Sequence, residues 1–254
     1  MPEQTLVWLY AITRSAKKQP ASGISGLAGA PVRAVRAAGL AAIVSTVDAG
    51  TFGEQALRRN LEDLDWLASV ARRHDAVIRA VAEHGPAIPL QLATIYASDE
   101  HVRRVLRERD NNLSAALRTV SGRSEWGVKA YTNTDTDSAS QSPAGSGIAY
   151  VRRRRAQLSA REDAERRAGR QAEAVHAALA SLAVAARTHA PRNTALDKHP
   201  GREVLNGAYL VDAPRTAAFH EAVRAQEQSN RAVRLILTGP WPPYSFTTWD
   251  KAPT

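Results

Sequence analysis

The sequence predicts an α+β protein of two domains, and three patterns predict it. Two near-continuous apolar runs, Leu6–Ile12 and Leu40–Val47, are rich in β-branched residues and read as central strands. Stretches with apolar residues at steps of three and four read as helices that pack on a sheet. Behind residue 122 the elements run strand, helix, strand, strand, helix, strand, which is the ferredoxin-like order. The expected division is therefore an N-terminal α/β domain over 1–122 and a ferredoxin-like domain over 123–254. The latter carries a polar loop at 132–147 and a proline-rich aromatic tail at 238–254.

Taken in order, Leu6–Ile12 is the first strand. A loop with Gly23, Gly26 and Gly29 follows, with a short strand around Val32 and Val35. No Gly-Lys-Ser/Thr follows those glycines and the dinucleotide fingerprint fails, so the segment reads as a hairpin connection. After Leu40–Val47 the period turns helical from Phe52. Leu57, Leu61, Leu64, Leu67, Ala71, His74, Ile78 and Val81 fall on one face, widened by Trp66, Val70 and Val77. His74 sits on that packed face and is expected to be a hydrogen-bonded core histidine. Gly85-Pro86 ends the helix, and Ala87–Leu92 reads as a strand. Ser98 caps the next helix, with Val102, Leu106, Leu113, Leu117 and Val120 as its buried stripe. Asp99 and Glu100 suit that helix start, where the backbone dipole favours negative charge.

Glu125–Tyr131 opens the second half as a strand. Thr132 to Gly147 is a run of Ser, Thr, Asn, Asp and Gly, expected to be a mobile loop. Asn133, Asp135 and Asp137 imitate a calcium loop, but Ser138 and Ala144 occupy the turn-glycine and bidentate-glutamate positions. Arg152–Arg155 leads into a long helix with Ala172, Val175, Leu179, Leu182 and Ala186 on its packed face. A strand around Asn193–Leu196, the strand Val204–Val211, a helix from Pro214 to Asn230 and the strand Val233–Leu237 complete the order. Gly239-Pro240 is expected to end that last strand. Pro240, Pro242 and Pro243 should hold Trp241, Tyr244 and Phe246 on an extended segment.

Composition narrows the chemistry. The 254 residues suffice for one large domain or two modest ones. There is no cysteine, which excludes disulfides, thiolate metal sites and a cysteine nucleophile. The seven histidines make no pair at a metal-ligand spacing. Gly23-Ile-Ser-Gly-Leu27 is no nucleophile elbow. The chain therefore reads as a non-enzyme without a cofactor. No apolar run is long enough to span a bilayer, and Met1-Pro-Glu-Gln lacks a signal-peptide layout, so a cytoplasmic protein without a membrane partner is expected. The net charge is +9, and 29 of the 34 basic residues are arginine. That charge motivates an alternative reading, a basic nucleic-acid-binding regulator. A general arginine and alanine bias explains the charge without it, and the aromatic-basic word of an RNA-recognition motif is absent.

Five words in order carry a resemblance. They are Leu6-Val-Trp-Leu-Tyr-Ala-Ile12, Gly39-Leu-Ala-Ala-Ile-Val-Ser45, Gly122-Arg-Ser-Glu-Trp-Gly-Val-Lys129, Val204-Leu-Asn-Gly-Ala-Tyr-Leu-Val211 and Leu237-Thr-Gly-Pro-Trp-Pro-Pro-Tyr-Ser-Phe246. Together they resemble the gas vesicle protein F/L family. One word departs: Pro89-Leu-Gln-Leu-Ala-Thr94 stands where the family often reads PLRFGT, so no role of that arginine carries over. The resemblance implies a modified ferredoxin-like C-terminal domain behind an α/β domain. It further implies a non-enzymatic assembly factor or minor vesicle component, cytoplasmic and vesicle-associated. Its partner would be the major shell protein, with other accessory proteins as further candidates. A binder of that apolar subunit would limit aggregation during nucleation and growth. The candidate contacts are Trp241, Tyr244 and Phe246 as anchors and Arg152, Arg153, Arg154 and Arg155 as an electrostatic patch.

Overall fold

The structure, a computed structural model, describes residues 4–15, 23–133, 147–190 and 199–247. The chain divides into two compact units: Met1–Arg123 with Trp241–Thr254, and Ser124–Pro240.

The first unit is built on an antiparallel sheet. Strands β1 (Thr5–Arg14), β2 (Arg33–Ala37), β3 (Leu40–Asp48) and β4 (Ala87–Pro89) lie in the order β2-β3-β1-β4. A two-residue strand not foreseen from sequence, β5 (Ile95–Tyr96), also pairs with β1. Ala38 and Gly39, both at positive φ, form the two-residue turn between β2 and β3. Helices α1 (Ala49–Phe52), α2 (Glu54–Asn60) and α3 (Leu64–Ala82) follow β3. Helices α4 (Asp99–Glu108) and α5 (Asp110–Val120) close the unit. Val7 and Leu9 face a core completed by Val102, Leu106, Leu113 and Leu117 of α4 and α5. Trp8 and Tyr10 face the opposite core with Val70, Val77 and Ile78 of α3. Burial on both faces explains why β1 and β3 read as continuous apolar runs and not as alternating ones.

The long helix expected from Phe52 is split into α2 and α3, with the one-turn α1 ahead of them. Asp63 accepts hydrogen bonds from the backbone N–H of Asp65 and Trp66 and so caps a new helix start. Leu61 and Leu64, expected on the packed face, are exposed on either side of that cap. Ser98 caps α4 as expected, accepting from the His101 N–H. Asp99 does more than favour the helix end: its carboxylate receives both terminal nitrogens of Arg33, at 2.7 and 2.8 Å, and ties α4 to β2.

In the second unit β6 (Arg123–Thr132), α6 (Gly147–Ala180), β7 (Ala185–Thr188), β8 (Glu203–Asp212), α7 (Thr216–Ser229) and β9 (Val233–Trp241) form a sheet in the order β7-β8-β6-β9. Read from the other edge, that is the fourth, first, third and second strand of the unit, the ferredoxin-like arrangement. Trp126, Val128 and Ala130 of β6 pack with Ala172, Val175 and Leu179 of α6 and Phe219 and Val223 of α7.

Two boundaries differ from the expectation. Helix α6 stops at Ala180, and Ala185–Thr188 is a strand paired with residues 207–210 of β8. Local alanine content favours helix there, and the sheet edge overrides it. The strand expected around Asn193–Leu196 and most of the polar loop 132–147 lie outside the described residues. Strand β9 also runs past Gly239-Pro240, a cis peptide, to Trp241. It is an edge strand, where a proline without an N–H is tolerated.

Candidate functional site

Two of the recurring sequence words meet in the second unit's sheet. Gly127 of the Glu125-Trp-Gly-Val-Lys129 word lies under Thr238, whose hydroxyl donates to the Gly127 carbonyl at 3.4 Å. A Cβ on Gly127 would come within 2.6 Å of that hydroxyl oxygen. Gly239 has φ +123°, and its own Cβ would press on the Glu125 carbonyl and the Trp126 ring, both at 3.0 Å. The two glycines let β6 and β9 approach, and they fix where the tail leaves the strand.

The tail itself is a compact turn and not the extended segment expected. The Tyr244 N–H donates to the Pro242 carbonyl at 2.8 Å, and the Phe246 N–H to the Pro243 carbonyl at 3.2 Å. The Thr247 hydroxyl returns to the Pro243 carbonyl at 3.2 Å. Pro242, Pro243, Phe246 and Thr247 are buried, whereas Trp241 is 40% and Tyr244 38% exposed. Of the three rings expected as anchors, Trp241 and Tyr244 are accessible and Phe246 is buried. Burying Phe246 anchors the turn, which leaves the other two rings presented. The Arg79 guanidinium lies over the Trp241 ring, 5.1 Å from its centroid, and is itself held by Asp75 at 2.6 Å. Arg79 was missed in the sequence, because nothing local on α3 marks it as the neighbour of a distant tail.

The arginine run lies on α6 in the second unit, so the structure does not gather the seven candidates into one cluster within a unit. Arg152, Arg154 and Arg155 are exposed; of Arg153 the side chain is outside the described residues.

Beneath the sheet of the first unit lies a buried polar network. The Trp8 indole N–H donates to His74 Nδ1 at 3.0 Å, so the ring proton sits on Nε2, which donates to the Leu90 carbonyl at 3.0 Å. Burial pushes the His74 pKa below its usual value, against the opposing pull of the Leu90 carbonyl and Asp75. Both ring nitrogens are engaged within the core, as expected of a structural histidine. Tyr10 OH sits 2.6 Å from Ser45 Oγ and accepts the Leu27 N–H at 2.9 Å. A side chain on Gly26 would collide with that Tyr10 hydroxyl.

The second unit also carries an open cleft of about 540 Å³, bordered by Asn133, Glu227, Arg231 and Arg234. Among the described residues no group of three or more His, Asp or Glu side chains converges as a metal site would require. No helix among them is long and apolar enough to cross a membrane.

Residues 6–248 match the family model described as gas vesicle synthesis protein GvpL/GvpF. The chain belongs to the GvpL/GvpF family. It is 40% identical to gas vesicle protein L of Streptomyces sp. strain CB03234 over 252 residues, covering 97% of this chain and 94% of that one. Gas vesicle protein F of the same strain is 28% identical, with 94% and 98% covered. The crystal structure of GvpF from Anabaena sp. PCC7120 superposes with a TM-score of 0.67 at 18% identity, over 98% of this chain and 99% of that one. GvpF from Microcystis aeruginosa gives 0.65 at 16%, over 96% and 99%. These two likenesses establish the shared fold.

Proposed function

We propose that this chain is a non-enzymatic assembly factor that binds the major gas vesicle shell protein and limits its aggregation while the vesicle nucleates and grows. The observation that carries this reading is the tail: a turn anchored by buried Phe246 displays Trp241 and Tyr244 at its surface. Aromatic rings on a turn already ordered in the free protein lose little entropy on docking. They suit an apolar subunit that must be held reversibly before it enters a water-excluding wall. Arg152–Arg155 supply an electrostatic contact, and other vesicle accessory proteins are further partners. The protein works in the cytoplasm, at the vesicle. The higher identity to protein L than to protein F of one Streptomyces strain supports an L-type place.

The test is light scattering of purified shell protein diluted from denaturant, with and without this chain at equal concentration. Suppressed scattering is the expected result. Unchanged scattering together with no complex on a sizing column would remove the reading.

A further inference from the structure

Among the described residues, nothing packs on the outer half of α6. Every described side chain from Val151 to Asp163 is exposed, a stretch of roughly 20 Å at the helical rise. A helix exposed all round holds together through many ion pairs three or four residues apart, or through a partner. The inner part of the stretch has such pairs: Arg161 with Glu165, and Arg166 with Glu162 and Asp163. The outer part, Val151-Arg-Arg-Arg-Arg-Ala-Gln-Leu-Ser-Ala160, has four arginines and no acidic residue. Arg152 and Arg155, three apart, repel each other. Among the described residues no ion pair engages Arg152, Arg154 or Arg155.

The apolar residues of this stretch are placed in a pattern. Val151 is 63% and Leu158 50% exposed. Seven residues apart, they lie within about 20° of each other around the helix, and Arg154 and Arg155 flank their line at about 50° on either side. Val151 and Leu158 hold the same position of successive heptads with arginine at the position between, so this face offers an apposed helix two apolar contacts within a cationic rim. Its complement is a helix with an apolar stripe bordered by carboxylates. We infer that residues 151–163 form a docking arm for an acidic amphipathic helix of a partner protein. A second copy of the arm would bring four arginines against four. Nucleic acid would engage the arginines and leave Val151 and Leu158 in water. The charge and the two apolar contacts together therefore favour the acidic helix.

The inference deepens the electrostatic part of the proposed function. Its probe contains no shell protein, so failure here and failure of shell-protein capture are separate results. The probe is a fluorescein-labelled synthetic peptide of three heptads, with leucine at a and d and glutamate at e and g. Its glutamates keep it from pairing with itself at neutral pH. Binding to the full chain is read by anisotropy at low salt. Wild-type protein should bind it, and Arg154→Glu with Arg155→Glu should weaken binding by about tenfold or more. Leu158→Ser should weaken it too, and Arg154→Lys with Arg155→Lys should retain it. Far-ultraviolet circular dichroism of each variant confirms that the fold is kept. No binding by wild type, or binding indifferent to Leu158→Ser, would overturn the proposal. So would tighter binding of a short DNA duplex under the same conditions. A wild-type dimer in sedimentation that the glutamate variant dissolves would overturn it in favour of self-pairing.

Discussion

The Arg79 guanidinium lies 5.1 Å from the centre of the Trp241 ring, and Asp75 fixes that guanidinium from the preceding turn of α3. The contact orients an indole that remains 40% exposed. A cation over an exposed ring contributes about 0.5–1 kcal/mol. Arg79→Ala should therefore lower the unfolding free energy by no more than about 1 kcal/mol and loosen the ring, seen as reduced tryptophan fluorescence anisotropy. A much larger loss would mean that Arg79 supports the fold in another way.

His74 makes stability depend on pH. Its folded pKa lies below the unfolded value of 6.5. As pH falls through about 6.5 the unfolded chain takes up a proton that the folded chain refuses, so stability is present above that pH and is lost below it. The loss approaches about 1.4 kcal/mol per pH unit until the folded pKa is reached. His74→Gln keeps a donor for the Leu90 carbonyl and an acceptor for the Trp8 N–H but does not titrate. Denaturant midpoints of wild type and His74→Gln between pH 7 and 5 should diverge, the variant falling less. Parallel curves would contradict the assignment.

Ala93 occupies a left-handed backbone conformation, φ +66°, in a turn where the Thr94 N–H reaches the Gln91 carbonyl. The corresponding family word often has glycine at this place, and this chain has alanine. A non-glycine residue costs about 1–2 kcal/mol there, partly offset by glycine's extra freedom when unfolded. Ala93→Gly should stabilise by about 0.5–1 kcal/mol, or raise the melting temperature by about 1–3 °C. A lower melting temperature would show that the methyl group's packing outweighs the backbone strain.

Glu203 has a fully buried side chain whose carboxylate receives Lys129 Nζ at 2.7 Å and Tyr131 OH at 3.3 Å. The glutamate's bond raises the pKa of Lys129. Lys129→Met removes the charge partner and should cost about 1–3 kcal/mol in chemical denaturation. Adding Glu203→Gln should recover much of the loss, because the neutral amide no longer needs a cation. Additive losses would show that the pair is not coupled.

Much of the fold was legible because it rests on local chemistry. The apolar runs of β1 and β3, the Ser98 cap and the stripe from Val102 to Val120 all follow from burial and hydrogen-bonding rules that act over a few residues. The elements misread have two causes, one a long-range pairing and the other a local cap. Ala185–Thr188 is helical by composition and a strand by its pairing with β8. The break at Asp63 lay inside a continuous three-four pattern, and one capping carboxylate made it. The candidate site was legible as a word but not as a geometry. Three aromatics and three prolines announce a docking segment, yet only the fold decides that Phe246 turns inward and Trp241 outward. Arg79, brought to Trp241 by the fold, left no local sign.

The most direct measurement of the central claim is a shell-protein pulldown beside a thermal melt for Trp241→Ala, Tyr244→Ala and Phe246→Ala. Phe246→Ala removes a buried ring and should cost about 3 kcal/mol or more, lowering stability and capture together. Trp241→Ala and Tyr244→Ala should leave the melt within a few degrees of wild type and lose most of the captured shell protein. Full capture by both of these variants, with the fold intact, would contradict the claim that the exposed rings of the tail hold the partner.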